Sequence, residues 1–332
     1  MSKVVYFNID DTLDYENDLL GQWGVTDIEL VEIKDKTSGK FTEYLQNADG
    51  LVVEYEQVTK AVMEQCPKLK IAAVQAIGTN NLDKPGATEL GICLTNAPGF
   101  CTEEVALHTV GLLIDLVRKI TFYDKGVRAG HWTPLSGYPM HRVTGLTFGM
   151  VFFGSIPKVM VPILKAMGLK ILVYAPTKTP EFLADFGGEK ANTLEELLKA
   201  SDFVSLHCPL IPGVTHHIIG EKELKLMKPS AFLINTARGS VVDEAALVKA
   251  LKEGWIKGAG IDVIEDEAGE ESELFQFNDN VVITPHVAFL SEDSFYAARR
   301  IALEQLVQRL SKKQIPINLV NKDVKVDFSK DA

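Results

Sequence analysis

"FGMVFFGSIPKVM", residues Phe148 to Met160, is the stretch on which the reading of the fold turns. An apolar run enters a turn and leaves as a helical pattern, the order of a dinucleotide-binding turn, whose glycines recur as G-x-G-x-x-G. On that template Phe152, Gly154 and Pro157 occupy the three glycine places. Pro157 suits a first helical turn, where its missing N–H is not needed. Ser155 and Ile156 still offer backbone N–H groups. Phe152 is expected to take negative φ, unlike a glycine, and so to alter the approach of a phosphate. With one glycine of three retained, the turn acquires meaning only from its surroundings.

Those surroundings are α/β throughout. Downstream of Gly145, strand-like runs "TFGMVFF", "KILVYA", "FVSLHC", "ELKLMK", "AFLINT", "GAGIDV" and "VVITPH" alternate with helical patterns. One of these runs from about Pro157 to Met167, and others are "TLEELLKA" and "EAALVKALKEG". Such alternation predicts a doubly wound parallel sheet, and the turn lies on its first strand-to-helix junction, where a pyrophosphate would meet a helix N-terminus. Upstream, "KVVYFNI", "IELVEI", "GLVVEY", "KIAAVQA" and "CLTNAP" predict a smaller α/β layer. Between the two series, Thr102 to Gly130 reads as one long helix and a domain boundary.

A chain of 332 residues that is 46% hydrophobic can bury two cores and is too apolar to be disordered. Its net charge of −11 argues against nucleic acid or an anionic membrane as partner. Cys66, Cys93, Cys101 and Cys208 have no metal-like or paired spacing, so they read as reduced, packed thiols and no metal site is expected. No export signal or membrane-length apolar run is visible, which places the chain in the cytoplasm. "VVYFNIDDTL", Val4 to Leu13, resembles the opening of haloacid dehalogenase-type phosphatases, but Asn8 stands in place of the nucleophilic aspartate and an amide cannot attack phosphorus. Asp10, Asp11 and Thr12 are expected instead to end a strand and cap a helix.

At the end of "KILVYAPTK" an acid is expected about 20 residues after the glycines, to hold the adenosine ribose. Ala175 is there instead. Without a carboxylate nothing repels a 2′-phosphate, and Thr177 and Lys178 could contact one; equally, Lys178 could be a solvated surface charge. Three further segments bring polar residues to strand ends, where an open α/β sheet binds its ligand. Arg238 can grip a substrate carboxylate bidentately, His286 can protonate a developing alkoxide, and Glu267 can orient the imidazole and help it hold a proton. Together they suit carbonyl reduction.

Over nearly its whole length the chain resembles the D-isomer-specific 2-hydroxyacid dehydrogenases. The likeness is carried by "AIGTNNLD", "NAPGFCTEEVALHT", "SDFVSLHCPL", "LMKPSAFLINTARGSVVDEAAL", "GAGIDVIEDEAGE" and "NVVITPHVAF". It implies two Rossmann-like or flavodoxin-like domains with parallel sheets and an active site in the cleft between them. Residues 1–98 with 287–332 would form the substrate-binding domain, and 99–286 the dinucleotide-binding domain. Arg238, Glu267 and His286 would be the catalytic set. Backbone N–H groups at Ala76, Ile77, Gly78 and Thr79 would hold the substrate carboxylate together with Arg238. Gly154, Ser155, Ile156, Cys208, Pro209, Thr236, Ala237 and Asp262 would contact NADP or NAD. The resemblance also implies a homodimer, joined through the long helix and the arm after it.

The departures from the family pattern are Phe152, Pro157, Ala175 and Leu107, the last standing where an acid usually follows "V-A". They leave the catalytic set untouched and bear on which dinucleotide binds. Family members that take phosphorylated acids carry basic residues where this chain has "VVEYEQVT", with Val53 and Tyr55 at the matching places beside Glu54 and Glu56. An unphosphorylated 2-oxo acid is therefore expected. Glu267 counts against a formate dehydrogenase, and no regulatory domain is expected after "NLVNKDVKV". The alternative reading is a dinucleotide-sensing, protein-binding module similar to the C-terminal binding proteins, which would have no chemical need for Arg238, Glu267 and His286 together.

Overall fold

A computed structural model of the chain describes residues 1–9, 11–34, 41–54, 56–137, 139–267, 269 and 271–331. Asp10 and Tyr55 lie outside the described residues. The chain divides into two compact units, Met1–Phe100 with Ser291–Ala332, and Cys101–Leu290. The divisions fall two to four residues beyond those expected from the sequence.

In the first unit β1 (Ser2–Phe7), α1 (Asp14–Gln22), β2 (Ile28–Ile33), α2 (Phe41–Leu45), β3 (Gly50–Val53), α3 (Lys60–Glu64), β4 (Ile71–Val74), α4 (Lys84–Leu90) and β5 (Cys93–Thr95) follow one another. The strands form one parallel sheet in the order β2-β1-β3-β4-β5. Alternate side chains point to opposite faces, so Val4, Tyr6, Val52 and Ile71 build one core layer and Val5, Phe7, Leu51 and Val74 the other. The expected cap on α1 is not made: Leu13 precedes the helix without a side-chain hydrogen bond. Asp11 is drawn away, accepting from Thr12 N at 2.8 Å and from Arg299 Nη1 at 2.6 Å.

The second unit opens with α5 (Thr102–Arg118) and α6 (Ile120–Arg128), which correct the single long helix read from the sequence. Lys119 takes a left-handed conformation (φ 54°), and the Asp115 carboxylate accepts Thr121 N at 2.8 Å, starting the second helix in a new direction. There follow β6 (Thr147–Val151), α7 (Ser155–Ala166), β7 (Lys170–Tyr174), α8 (Pro180–Asp185), β8 (Glu189–Lys190), α9 (Leu194–Ala200), β9 (Phe203–Leu206), α10 (Glu221–Leu224), β10 (Phe232–Asn235), α11 (Glu244–Glu253), β11 (Gly258–Ile261) and β12 (Val281–Ile283). The parallel order β12-β11-β10-β9-β6-β7-β8 reverses direction of winding between β9 and β6, which puts the turn after β6 at the switch point of the sheet. "ELKLMK" is not a strand. Its alternation is misleading because Leu224 and Met227, three apart, are the buried pair, and Glu223 turns back to accept Gly220 N at 3.3 Å.

α12 (Glu292–Leu306) then returns the chain to the first unit, where Leu303 and Leu306 enter the layer that contains Val4 and Tyr6. Among the described residues no helix is long and apolar enough to cross a membrane.

Candidate active site

Phe152 does not take the negative φ expected of a bulky residue. It sits at φ 71°, in the conformation that glycine would adopt. Two contacts hold it there: Phe152 N donates to Tyr174 O at 2.7 Å, extending the β6–β7 pairing, and its ring packs on the core layer that includes Val151 and Leu206. A left-handed non-glycine residue costs roughly 1–2 kcal/mol, which burial of an aromatic ring can offset. Phe153 goes to the opposite side and meets Phe182 and Phe186. The backbone path of the turn is thus kept while its residue type has changed.

Gly154 follows in an extended conformation as the N-cap of α7, with no side-chain cap. A Cβ built on it meets nothing within 4 Å, so there is open space beside the turn. The first N–H groups of a twelve-residue helix, including those of Ser155 and Ile156, are suited to an anionic pyrophosphate. At the end of β7, Ala175 is buried and Thr177 exposed. Lys178 is half-buried, its Nζ 5.0 Å from the Phe182 ring centre, and Lys158 from α7 stands 5.4 Å from the same centre. Lys190 Nζ donates to Lys178 O at 2.6 Å. Lys158 and Lys178 thus share the Phe182 ring, and Lys190 is tied to the backbone of Lys178, three residues after Ala175. Lys158 and Lys190 escaped the sequence reading because neither falls within the strand-end motif.

Cys208 and Thr236 are buried and Pro209 is exposed, its carbonyl accepting Thr215 Oγ1 at 2.5 Å. Burial pushes the Cys208 thiol up to about 11 and the Cys101 thiol up to about 12, which makes both packing groups rather than nucleophiles. Beside them His207 is pushed down to about 3 by burial and is therefore neutral. Thr236 Oγ1 lies 2.9 Å from Thr109 Oγ1, which itself donates to Val105 O.

After β10 the buried Asn235 shapes the segment that bears Arg238: its Oδ1 accepts Ala237 N at 3.0 Å and its Nδ2 donates to Arg238 O at 2.9 Å. Arg238 Nη1 donates to Ala237 O at 2.6 Å. Burial lowers the guanidinium's pKa from its ordinary value, and the Glu267 charge opposes that shift. A largely desolvated cation of this kind gains most from an arriving carboxylate. Gly239 is required by close approach, since a Cβ there would stand 1.7 Å from Ile264 O. The Arg238 segment thereby lies directly against the loop that carries Glu267.

His286 Nδ1 lies 2.9 Å from Glu267 Oε2, an exposed pair that leaves Nε2 for chemistry. Its backbone is left-handed (φ 52°), and Asp262 maintains that conformation. The buried Asp262 carboxylate accepts Thr284 Oγ1 at 2.6 Å, Val287 N at 3.0 Å and Ala288 N at 3.1 Å, while its carbonyl takes His286 N. Asp262, expected at the dinucleotide, is thus engaged in positioning His286. His108 adds to the same network through Nε2, 2.9 Å from Thr284 Oγ1. A histidine among the apolar residues in the middle of α5 is its only sign in the sequence.

In the first unit the loop after β4 has its carbonyls tied from behind. Ala97 N donates to Ala76 O at 2.9 Å and Asn96 Nδ2 to Ile77 O at 2.8 Å, while among the described residues the N–H groups of Ile77, Gly78 and Thr79 meet no backbone acceptor. Val53 is fully buried and cannot face a ligand, contrary to its expected place beside the substrate.

Residues 110–288 match the family described as D-isomer specific 2-hydroxyacid dehydrogenase, NAD binding domain. The chain is 43% identical to a glyoxylate reductase of Thermococcus litoralis over 86% of this chain and 87% of that one. Among solved structures it resembles an NADPH-dependent glyoxylate/hydroxypyruvate reductase of Sinorhizobium meliloti in complex with citrate (TM-score 0.85, 27% identity, 98% of this chain and 100% of that one). It also resembles the NAD complexed form of a D-isomer specific 2-hydroxyacid dehydrogenase from Lactobacillus delbrueckii ssp. bulgaricus (TM-score 0.79, 29% identity, 96% and 100% covered). The chain belongs to the D-isomer-specific 2-hydroxyacid dehydrogenase family. It is an NAD(P)-dependent oxidoreductase that acts on the CH–OH group of 2-hydroxy acids and reduces 2-oxo acids.

Proposed function

We propose that the enzyme reduces small, unphosphorylated 2-oxo acids, glyoxylate foremost, and accepts NADPH at least as well as NADH. The observation that carries the chemistry is the His286 Nδ1–Glu267 Oε2 pair at 2.9 Å, with the desolvated Arg238 on the adjoining segment. The dinucleotide, when bound, supplies the hydride. Arg238 grips the substrate carboxylate. Glu267 fixes the imidazole so that Nε2 holds the proton, which passes to the carbonyl oxygen as that oxygen gains negative charge. Hydride and proton together convert the 2-oxo acid to the 2-hydroxy acid.

Glyoxylate as first substrate is supported by the activity named for the Thermococcus litoralis relative. Rejection of phosphate is supported by Glu54 and by Glu56, whose Oε1 accepts Asn8 Nδ2 at 3.0 Å. Cytoplasmic residence is supported by four buried free cysteines. A homodimer is supported by α6, which buries no residue, and by the exposed Ile120, Trp132 and Leu135 that follow α5. Changing Trp132 and Leu135 together to glutamate should give a folded monomer by light scattering; an unchanged mass would assign the surface elsewhere.

The decisive experiment follows NADH and NADPH oxidation with glyoxylate, hydroxypyruvate, pyruvate and 3-phosphohydroxypyruvate. Preferred turnover of the phosphorylated acid would defeat the substrate reading. For the cofactor, absence of the ribose-binding acid removes a charged hydrogen bond of about 1.5–3 kcal/mol, so NADH should bind roughly ten- to a hundredfold more weakly than in an acid-bearing relative. Ala175→Asp should move preference toward NADH, and Lys178→Ala should weaken NADPH selectively. Strong NADH preference in the unaltered enzyme would refute the role given to Ala175.

A further inference from the structure

We propose that His216, His217 and Glu265 form a surface site for one divalent transition-metal ion of the zinc class, separate from the catalytic residues. One potential ligand atom from each side chain lies within 4.8 Å of the other two. His217 Nε2 and Glu265 Oε1 are already in contact, and the His216 ring stacks on His217 with centres 4.0 Å apart. Tetrahedral zinc with nitrogen or oxygen donors at about 2.0–2.2 Å separates neighbouring donors by roughly 3.3–3.6 Å. Closing the set is a matter of about one ångström, within the reach of exposed side chains.

The backbone beneath is fixed. His217 is left-handed (φ 50°) and its N donates to Ser240 O at 2.9 Å, while the fully buried Thr215 ties the preceding turn by accepting Ile211 N and donating to Pro209 O. Glu265 is held from its far side, its Oε2 3.4 Å from Glu244 N and its own N donating to Glu244 Oε2 at 3.0 Å. That leaves Oε1 turned toward the histidines. Two imidazoles and one carboxylate suit zinc, copper or nickel and not the oxygen-seeking magnesium or calcium. Three protein ligands leave a fourth place for water. An ion here would join the turn at 216–217 to the loop at 265, two residues before Glu267 and against the Gly239 segment, and so brace the strand ends without entering the reaction.

The test uses the full chain, freed of metal by a chelator and titrated with Zn²⁺ by calorimetry, and with Co²⁺ for its visible absorption. The expected result is one ion per chain with tetrahedral cobalt bands, weakened tenfold or more in His216→Ala and in Glu265→Gln. At about ten times the dissociation constant, Zn²⁺ should raise the thermal midpoint of the unaltered protein by on the order of 2–4 °C, with no such rise in His216→Ala. Metal-free turnover of His216→Ala should equal that of the unaltered enzyme. The proposal is overturned if the unaltered protein binds no stoichiometric ion, or if His216→Ala binds one equally well; the three side chains are then an ion pair with a ring stacked on it.

Discussion

Replacing His286 by alanine is expected to lower turnover by about 10²–10⁴-fold, the usual worth of a positioned acid–base group. The variant should still fold and bind dinucleotide, because the strand-end network centred on Asp262 uses the backbone N–H of residue 286 and its two successors rather than the imidazole. Glu267→Gln should lose less, since an amide oxygen can still accept from Nδ1 although the charge is gone, and it should alter the pH profile of kcat/KM. Arg238→Lys should act differently from both, raising KM steeply as the forked grip on the carboxylate becomes a point charge. Steady-state kinetics on glyoxylate, with folding checked by circular dichroism, distinguishes these outcomes. Near-normal turnover in a folded His286→Ala enzyme would sink the assignment.

Arg299→Met is expected to destabilise the first unit by about 3–5 kcal/mol, the cost of stranding a buried charge. Arg299 and Glu16 are both effectively out of solvent (1% and 0% exposed). Nε donates to Glu16 Oε1 at 2.8 Å, Nη2 to Glu16 Oε2 at 2.5 Å and to Thr12 O at 2.6 Å, and Nη1 to Asp11 Oδ2 at 2.6 Å. The rings of Tyr15, Phe295 and Tyr296 surround the guanidinium at 5.3 to 5.6 Å. Removing Glu16 as well, as Glu16→Leu with Arg299→Met, should restore much of the loss because no buried ion is then left unpaired, Asp11 being 43% exposed at its side chain and solvated. Urea unfolding followed by Trp23 fluorescence, in the first unit, reads the effect; a loss below about 1 kcal/mol in the single variant would mean that water reaches Glu16.

The parallel sheets and the strand-end trio were legible in the sequence because each depends on a local pattern: buried β-branched runs followed by polar residues. Arg238, Glu267 and His286 are marked by residue type and by their places at strand ends, and the family resemblance supplies their expected roles. What holds them was less visible. Asn235, Thr284 and His108 act through contacts between elements far apart in the chain, and no spacing rule reports such contacts. Lys119 broke an otherwise continuous helical pattern by a backbone choice that its side chain does not advertise. "ELKLMK" satisfies both periods, and only burial of Leu224 and Met227 decides between them. Phe152 departs from expectation for a related reason: steric preference argues against positive φ, but the pairing of its N–H with Tyr174 and the packing of its ring outweigh that preference.

The return of α12 to the opening unit has a consequence for how the protein comes off the ribosome. Cys101–Leu290 is one unbroken stretch and can close its sheet as soon as it has emerged. The unit begun earlier cannot, since Leu303 and Leu306 cover one face of its sheet and Arg299 neutralises Glu16. At roughly 5–20 residues per second, synthesis of the intervening stretch of about 190 residues lasts on the order of 10–40 s. Throughout that time the strands made first wait with an apolar face and a buried carboxylate uncovered. The part translated first is therefore the part finished last, and the interval of greatest exposure to misfolding falls on its amino-terminal strands.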